Sequence, residues 1–402
     1  MSRFALLLFF LATTCTQVFS QRMPEHWYRS VAAFENGEHN LALVYVDSCL
    51  SKRQTNPDFL LLKGQILFAM DSIDASWQLF AKADENRKGF GALWLAKVEA
   101  IKGNAVTATA FLEQHLLSAY RISESAIVTD RAFAPILGSA EWKTLWLTDW
   151  YNSAERTEFE ASYHIGKGEY DLALDLLNER LARKSKRSSY LAFRAQAYLG
   201  LQSYKAAAAD IAAAIRKSRK RHEYRALSAQ ILLAQGKGRQ AMEQAEKALE
   251  LSGGDPKYLV VRAEAKLLLG DKEGAYSDFQ AYLTYYPKDF GVLYSYAAVA
   301  FEVQAYVSAL KSINPLIALQ PRNTDYLTLR GLCYQRIGNA KLAIEDFSRV
   351  LSIRPLSAEV LVNRANAYSS IGEKEKACSD LKQASELGLF KAQELFYNRC
   401  KR

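Results

Sequence analysis

The sequence has no Cys-x-x-Cys pair. Its five cysteines, Cys15, Cys49, Cys333, Cys378 and Cys400, are scattered through 402 residues. That spacing excludes a zinc ribbon and a regular disulfide framework, and the four beyond Cys15 are expected to serve mainly as small buried hydrophobes. The five histidines, His26, His39, His115, His164 and His222, are dispersed with no His-Glu-x-x-His, so no metal site is expected. A Gly-x-Ser-x-Gly elbow, a phosphate-cradling glycine loop and a dinucleotide fingerprint are also missing. The chain is therefore expected not to be an enzyme, with no catalytic residues and no cofactor. Beyond the first residues, nothing approaches the ~18 consecutive apolar residues of a membrane helix.

The first residues have a character of their own. Arg3, an apolar run from Phe4 to Ala12, and Val18-Phe19-Ser20 ahead of Gln21 have the order of a secretory signal over 1–20, too short to span a membrane. Cys15 as a lipidated residue is the competing reading, and Thr14 before it fits that signal poorly. The expected location is periplasmic or secreted, with association to the cell envelope as a variant.

What the chain does contain is a period. Pro287, Pro321 and Pro355 lie 34 residues apart. A 34-residue frame gives starts at Ala154, Ser188, His222, Pro256, Phe290, Thr324 and Ala358 without an insertion. Counting each start as slot 1, slot 8 holds Ala161, Ala195, Ala229, Ala263, Ala297, Gly331 and Ala365, and slot 20 holds Ala173, Ala207, Ala241, Ala275, Ala309, Ala343 and Ala377. Small residues at both slots let two helices approach closely. Glycine at slot 15, as in Gly168, Gly236, Gly270, Gly338 and Gly372, supplies the left-handed turn between them. Each repeat is thus a helix-turn-helix, and a fixed period of this length indicates a stacked solenoid.

A second block starts at Met23, Pro57 and Gly91, the third repeat being degenerate with Val98 at slot 8, Ala110 at slot 20 and a displaced Gly103. The expected organisation is an N-terminal block over 23–124, an irregular insert over 125–153, seven repeats over 154–391 and a capping tail over 392–402. In the insert, Trp142, Trp146 and Trp150 stand four residues apart and are expected on one helical face, packing on the flanking repeats or, alternatively, forming a partner patch. Phe390, Leu395 and Phe396 are expected to cover the last hairpin, whose apolar face would otherwise meet water.

Gly331, Tyr334, Ala343, Phe347 and Pro355 in the Thr324 repeat, and Ala365, Tyr368, Ala377 and Leu381 in the next, resemble the tetratricopeptide repeat signature. The chain as a whole is similar to exported bacterial arrays of that family. The resemblance implies an all-α fold, a right-handed superhelical solenoid of antiparallel helix pairs, whose concave surface is lined by the first helix of each pair. It also implies a non-enzymatic scaffold that holds a peptide or partner helix in the groove. The groove residues implied are Val260, Glu264, Tyr294, Phe301, Asp325, Thr328, Gln335 and Asn366, a mixed apolar and polar lining.

The charges divide into two kinds. Arg194, Arg262, Arg330 and Arg364 occupy slot 7 in the four repeats where slot 23 is Asp210, Asp278, Asp346 and Asp380. Residues that appear and vanish together in one repeat are expected to pair across its hairpin, as structural rather than catalytic groups. Lys97 and Glu113 are expected to repeat this in the third repeat. Residues 180–221, by contrast, carry twelve basic side chains against Asp210 alone, in a chain of net charge +9. Arg183, Lys184, Lys186 and Arg187 lie one period from Lys217, Arg219, Lys220 and Arg221, so stacking would bring the clusters together as a basic ridge. Such a ridge could attract an acidic protein or an anionic envelope component, a lipid or polysaccharide, which is the alternative function. Nucleic acid is not expected, since no aromatics interleave with these charges.

Overall fold

The computed structural model describes residues 23–183 and 187–400. The signal-like segment, Cys15, Lys184 and Lys186 lie outside the described residues. Among those residues the fold is all-helical, an array of antiparallel helix pairs. Along the chain, α1 (Glu25–Glu35) pairs with α2 (His39–Leu50), α3 (Pro57–Ala69) with α4 (Ile73–Asn86), and α5 (Ala92–Ile101) with α6 (Ala105–Leu116). The insert follows as α7 (Glu124–Val128), a 3-10 turn (Arg131–Ile136) and α8 (Ala140–Leu145). Pairing then resumes with α9 (Ser153–Lys167) on α10 (Tyr170–Ala182), α11 (Ser188–Gly200) on α12 (Tyr204–Lys217), and α13 (His222–Ala234) on α14 (Gly238–Ser252).

The chain divides into two compact units at Leu268/Leu269. Unit 1 ends with α15 (Lys257–Leu268), and unit 2 begins with α16 (Lys272–Leu283). In unit 2, α17 (Phe290–Glu302) pairs with α18 (Tyr306–Leu319), α19 (Thr324–Arg336) with α20 (Ala340–Ile353), and α21 (Ala358–Ser370) with α22 (Lys374–Glu386). Helix α23 (Phe390–Cys400) packs on α22.

Local sequence explains where these helices start. Asn56 accepts from the N–H groups of Asp58 and Phe59 ahead of Pro57, a residue whose missing N–H costs nothing at a first helical position. Asn152 and Glu155 cap each other's backbone at the start of α9. Inside each pair of the seven-repeat block the alanines of slots 8 and 20 are buried. Gly331 shows why nothing larger than hydrogen fits at its slot: a Cβ there would lie 2.7 Å from the Phe347 ring. Gly64 stands in the same relation to Phe80, at 2.5 Å.

Several expectations need correction. Ala110 is exposed and Ala108 takes its buried place, because α5 is short and its turn at Gly103 comes two residues early. The three tryptophans do not share a helix face, since α8 ends at Leu145 and the chain turns there. Trp142 is buried with Leu112, Leu116 and Phe133, Trp146 packs edge-on against it at 5.7 Å, and Trp150 Nε1 donates to the Leu145 carbonyl at 2.8 Å. Lys97 pairs with Asp130 at 2.8 Å rather than with Glu113, because the insert folds back on α5 and brings Asp130 to it. At the C-terminus, Phe390 is 78% exposed and covers nothing, whereas Ala392, Leu395 and Phe396 pack on the core of unit 2. The cysteines also divide differently: Cys49 and Cys333 are free and buried, but Cys378 and Cys400 form a disulfide that ties α22 to α23.

The turn slot is left-handed even where it is not glycine. Gly338 has φ +82°, and the equivalent Asp71, Gln202 and Gln304 have φ between +57° and +63°. Such a residue costs ~1 kcal/mol relative to glycine. Gln304→Gly is accordingly expected to raise stability by about that amount, read as a higher urea midpoint with an unchanged slope. A lower midpoint would show that the Gln304 side chain contributes more than its backbone costs.

Candidate functional site

Two sets of side chains recur along the array, and they face different tasks. The first is the arginine set. Arg194 Nε and Nη2 donate to the two carboxylate oxygens of Asp210 at 2.6 and 2.8 Å. Arg330 does the same to Asp346 at 2.8 and 2.7 Å, and Arg364 to Asp380 at 2.8 Å for both bonds. Each guanidinium also lies over a tyrosine one turn on: Tyr198, Tyr334 and Tyr368 at 5.7–5.9 Å. Arg262 belongs to unit 1 and Asp278 to unit 2.

The third bond of each arginine is absent from the sequence-based expectations. Nη1 reaches back to the preceding hairpin, to Asn178 at 2.8 Å, Asn314 at 3.1 Å and Ser348 at 3.0 Å. All three acceptors occupy slot 25 of the repeat before, and that recurrence could have been found in the sequence. One planar cation thus joins three helices, which a lysine could not do with fixed geometry. The aspartates hold these cations charged, their hydrogen bonds raising each arginine above its ordinary range. Where slot 7 lacks arginine, another residue substitutes: Arg225 Nη1 donates to Gln244 at slot 23 at 3.0 Å. A tyrosine ladder adds a second joint. The hydroxyls of Tyr190, Tyr224 and Tyr258 lie against slot 1 of the preceding repeat, at Ala154 (3.3 Å), Ser188 (3.4 Å) and His222 (2.6 Å).

The second set is the candidate binding face. Six of the eight expected groove residues lie in unit 2, on the first helices α17, α19 and α21. Tyr294 is half-buried with its ring 5.1 Å from that of Tyr326. Phe301 packs on Tyr306 and lies under the Arg336 guanidinium, at 5.6 and 5.9 Å. Asp325 is exposed and meets Arg354 at 3.5 Å. The Thr328 hydroxyl turns inward onto the Thr324 carbonyl at 2.7 Å, Gln335 Nε2 donates to the Asn363 carbonyl at 3.3 Å, and Asn366 accepts from Arg399 of α23 at 2.9 Å. These bonds fix the orientation of each polar side chain before any ligand arrives.

The two groove residues of unit 1 differ. Val260 is 3% exposed and is therefore helix packing, not lining. Glu264 is half-buried, and burial pushes its carboxyl up to about 7. Near neutral pH it can offer a ligand either a hydrogen bond or a charge.

The basic ridge is partly occupied. Arg183 pairs with Glu179 at 2.7 Å, Arg187 with Glu158 at 3.2 Å, and Arg221 lies over the Tyr224 ring at 5.4 Å. Ser188 and Ser218 touch at 2.8 Å, so the start of α11 and the end of α12 do lie side by side. Lys217, Arg219 and Lys220 are exposed and form no ion pair among the described residues. Among those residues there is also no group of three His, Cys, Asp or Glu side chains able to hold a metal, and no helix long and apolar enough to cross a membrane.

With this geometry in place, the tetratricopeptide repeat family is found to match residues 324–355 and 358–400, so this part of unit 2 is built of tetratricopeptide repeats. No curated protein matches the chain. Among solved structures, YrrB, described as a tetratricopeptide repeat protein with an unusual peptide-binding site, is 19% identical, with 44% of this chain and 91% of that one aligned at a TM-score of 0.41. MamA from Desulfovibrio magneticus RS-1 is 20% identical over 42% of this chain and 94% of its own, at 0.39. The Cut9–Hcn1 hetero-tetramer of the APC/C is 12% identical over 94% and 97%, at 0.47.

Asp346 is 2% exposed, and its carboxylate accepts two bonds in the three-helix joint at Arg330. Asp346→Asn should cost unit 2 about 2 kcal/mol, the range for a charge-assisted bond lost with burial of its partner. Urea unfolding read from a probe in unit 2 would check this. An unchanged midpoint would mean that the pair adds nothing net.

Proposed function

We propose that the tetratricopeptide repeat character extends along the whole array, and that the protein is an exported, non-enzymatic scaffold holding an extended peptide or partner helix. The binding face is the one offered by α17, α19 and α21 in unit 2. The observation that carries this reading is the row formed by Tyr294, Phe301, Thr328, Leu332, Gln335 and Asn366: partly exposed, mixed in polarity, and with its polar members oriented by bonds to the protein itself. A peptide meeting such a row loses little to side-chain ordering, because the ordering is already done. The arginine joints support the reading in a second way, since every charged group in them is satisfied internally and none is left for catalysis.

Export is supported by the leader-like residues 1–20 and by the Cys378–Cys400 disulfide, a linkage that persists in oxidising compartments. The alternative, capture of an anionic envelope component, rests on Lys217, Arg219 and Lys220. Of the twelve basic residues that the sequence places over 180–221, Arg183, Arg187 and Arg194 are engaged by carboxylates, which weakens the field open to an anionic component.

Selection from a displayed random-peptide library on the purified protein tests the main reading. Tyr294→Ala combined with Gln335→Ala should weaken the selected peptides at least ~tenfold, as loss of a central aromatic anchor does, with helix content unchanged. The ridge is tested separately by Arg219→Glu with Lys220→Glu, which should leave peptide binding intact. Peptides that respond only to the ridge substitutions would reject the unit 2 face and favour the alternative.

A further inference from the structure

The arginines of unit 2 fall into two groups. Arg330 and Arg364 commit their donors to Asp346, Asp380 and the preceding hairpin. Arg336 and Arg399 are exposed, and among the described residues neither meets a carboxylate. Each is nevertheless held in place. The Arg336 guanidinium lies over the Phe301 ring at 5.9 Å, so a cation carried by α19 reaches back to α17. Arg399 Nη1 donates to Asn366 Oδ1 at 2.9 Å, so a cation carried by α23 reaches back to α21 and keeps the rest of its fork open. The Cys378–Cys400 disulfide anchors the residue next to Arg399.

Phe301 and Asn366 belong to the proposed binding face, so both cations stand at that face. Its carboxylates do not answer them. Glu302 is met by Lys272 at 2.7 Å, and Asp325 by Arg354 at 3.5 Å. Glu359 is exposed and forms no ion pair among the described residues, but it precedes Asn366 by seven residues on α21, about 10 Å along the helix axis. The C-terminal halves of these first helices therefore present two oriented cations with open donors and no matching anion. A guanidinium already positioned by a ring or an amide can take a carboxylate through paired bonds with little further ordering.

We propose that the ligand of unit 2 is an acidic peptide, with one side-chain carboxylate on Arg336 and a second, a few residues along, on Arg399. This rests on the reading that the face of α17, α19 and α21 holds a peptide, and it adds the chemistry of that peptide. The spacing follows from the helices. Packed helices lie ~8–10 Å apart, and the two guanidinium groups, one over α17 beside α19 and the other over α21, are one to two such steps apart, about 10–20 Å. An extended chain advances ~3.3 Å per residue, so the two acidic residues should be about three to six positions apart.

Fluorescence anisotropy on the full chain tests this with labelled peptide pools of about twelve residues, random except for two fixed positions carrying Glu, Gln or Lys at separations of about two to eight. Glu pools at separations of about three to six should bind best, at least ~tenfold above the Gln pools, and should weaken as salt rises. Arg336→Gln and Arg399→Gln should each lower their affinity about fivefold, and Arg336→Glu with Arg399→Glu should transfer the preference to Lys pools, with helix content unchanged. Pools that weaken on Tyr294→Ala with Gln335→Ala but ignore the arginine substitutions would overturn the acidic partner and leave the peptide face standing. A preference for Glu at every separation alike would overturn the two-point contact. Binding by no pool, or binding that ignores both sets of substitutions, would overturn the face itself and this proposal with it.

Discussion

A hairpin of two amphipathic helices has an apolar face that only a neighbouring hairpin can cover, so the joint between neighbours is what the rest of the structure depends on. Here that joint has a polar part beside its apolar one. Arg194, Arg330 and Arg364 each bind a carboxylate on their own hairpin and an amide or hydroxyl oxygen on the one before. A guanidinium has the donors for both and stays charged at any pH the protein meets. Because its orientation is fixed by the bidentate carboxylate and by the tyrosine beneath it, the backward bond also fixes how far one hairpin rotates on the next. Apolar packing alone would permit a range of such rotations.

That constraint has a consequence for binding. A face assembled from three successive first helices has a defined shape only if the spacing between hairpins is defined. In unit 2, the joints at Arg330 and Arg364 lie between the helix pairs that carry Tyr294, Thr328 and Asn366. Residues outside the proposed face would thus set the positions of those within it. Glu264 differs from the aspartates of these joints in that burial, not pairing, sets its protonation.

The repeat was legible in the sequence because the period is strict and the small residues at slots 8 and 20 face a steric demand that allows few alternatives, as Gly331 under Phe347 illustrates. The within-hairpin pairing of Arg330 with Asp346 was legible for a similar reason: both residues disappear together where the joint is built differently, as at Gln244. What escaped was contact between residues with no periodic relation. Asp130 reaches Lys97 from an insert with no register, Cys400 finds Cys378 from a capping helix outside the frame, and Tyr28 meets Ser252 through the curl of a whole unit. The backward bonds to Asn178, Asn314 and Ser348 were periodic and still missed, because a polar residue on a second helix resembles an ordinary solvated position. Of the proposed binding face, the placement of its residues on first helices was legible apart from the burial of Val260, but the bonds that orient Gln335 and Asn366 were not, since these depend on a carbonyl and a side chain outside their own repeat.

If these arginines join hairpins rather than merely brace them, Arg330 and Asn314 must be energetically coupled, and a double-mutant cycle measures that directly. Urea unfolding of the wild type, Arg330→Ala, Asn314→Ala and the double variant should give a coupling energy of about 1 kcal/mol, well above the additivity error of ~0.3–0.5 kcal/mol for independent sites. Simple additivity would contradict a polar joint and leave the contact between hairpins to apolar packing alone.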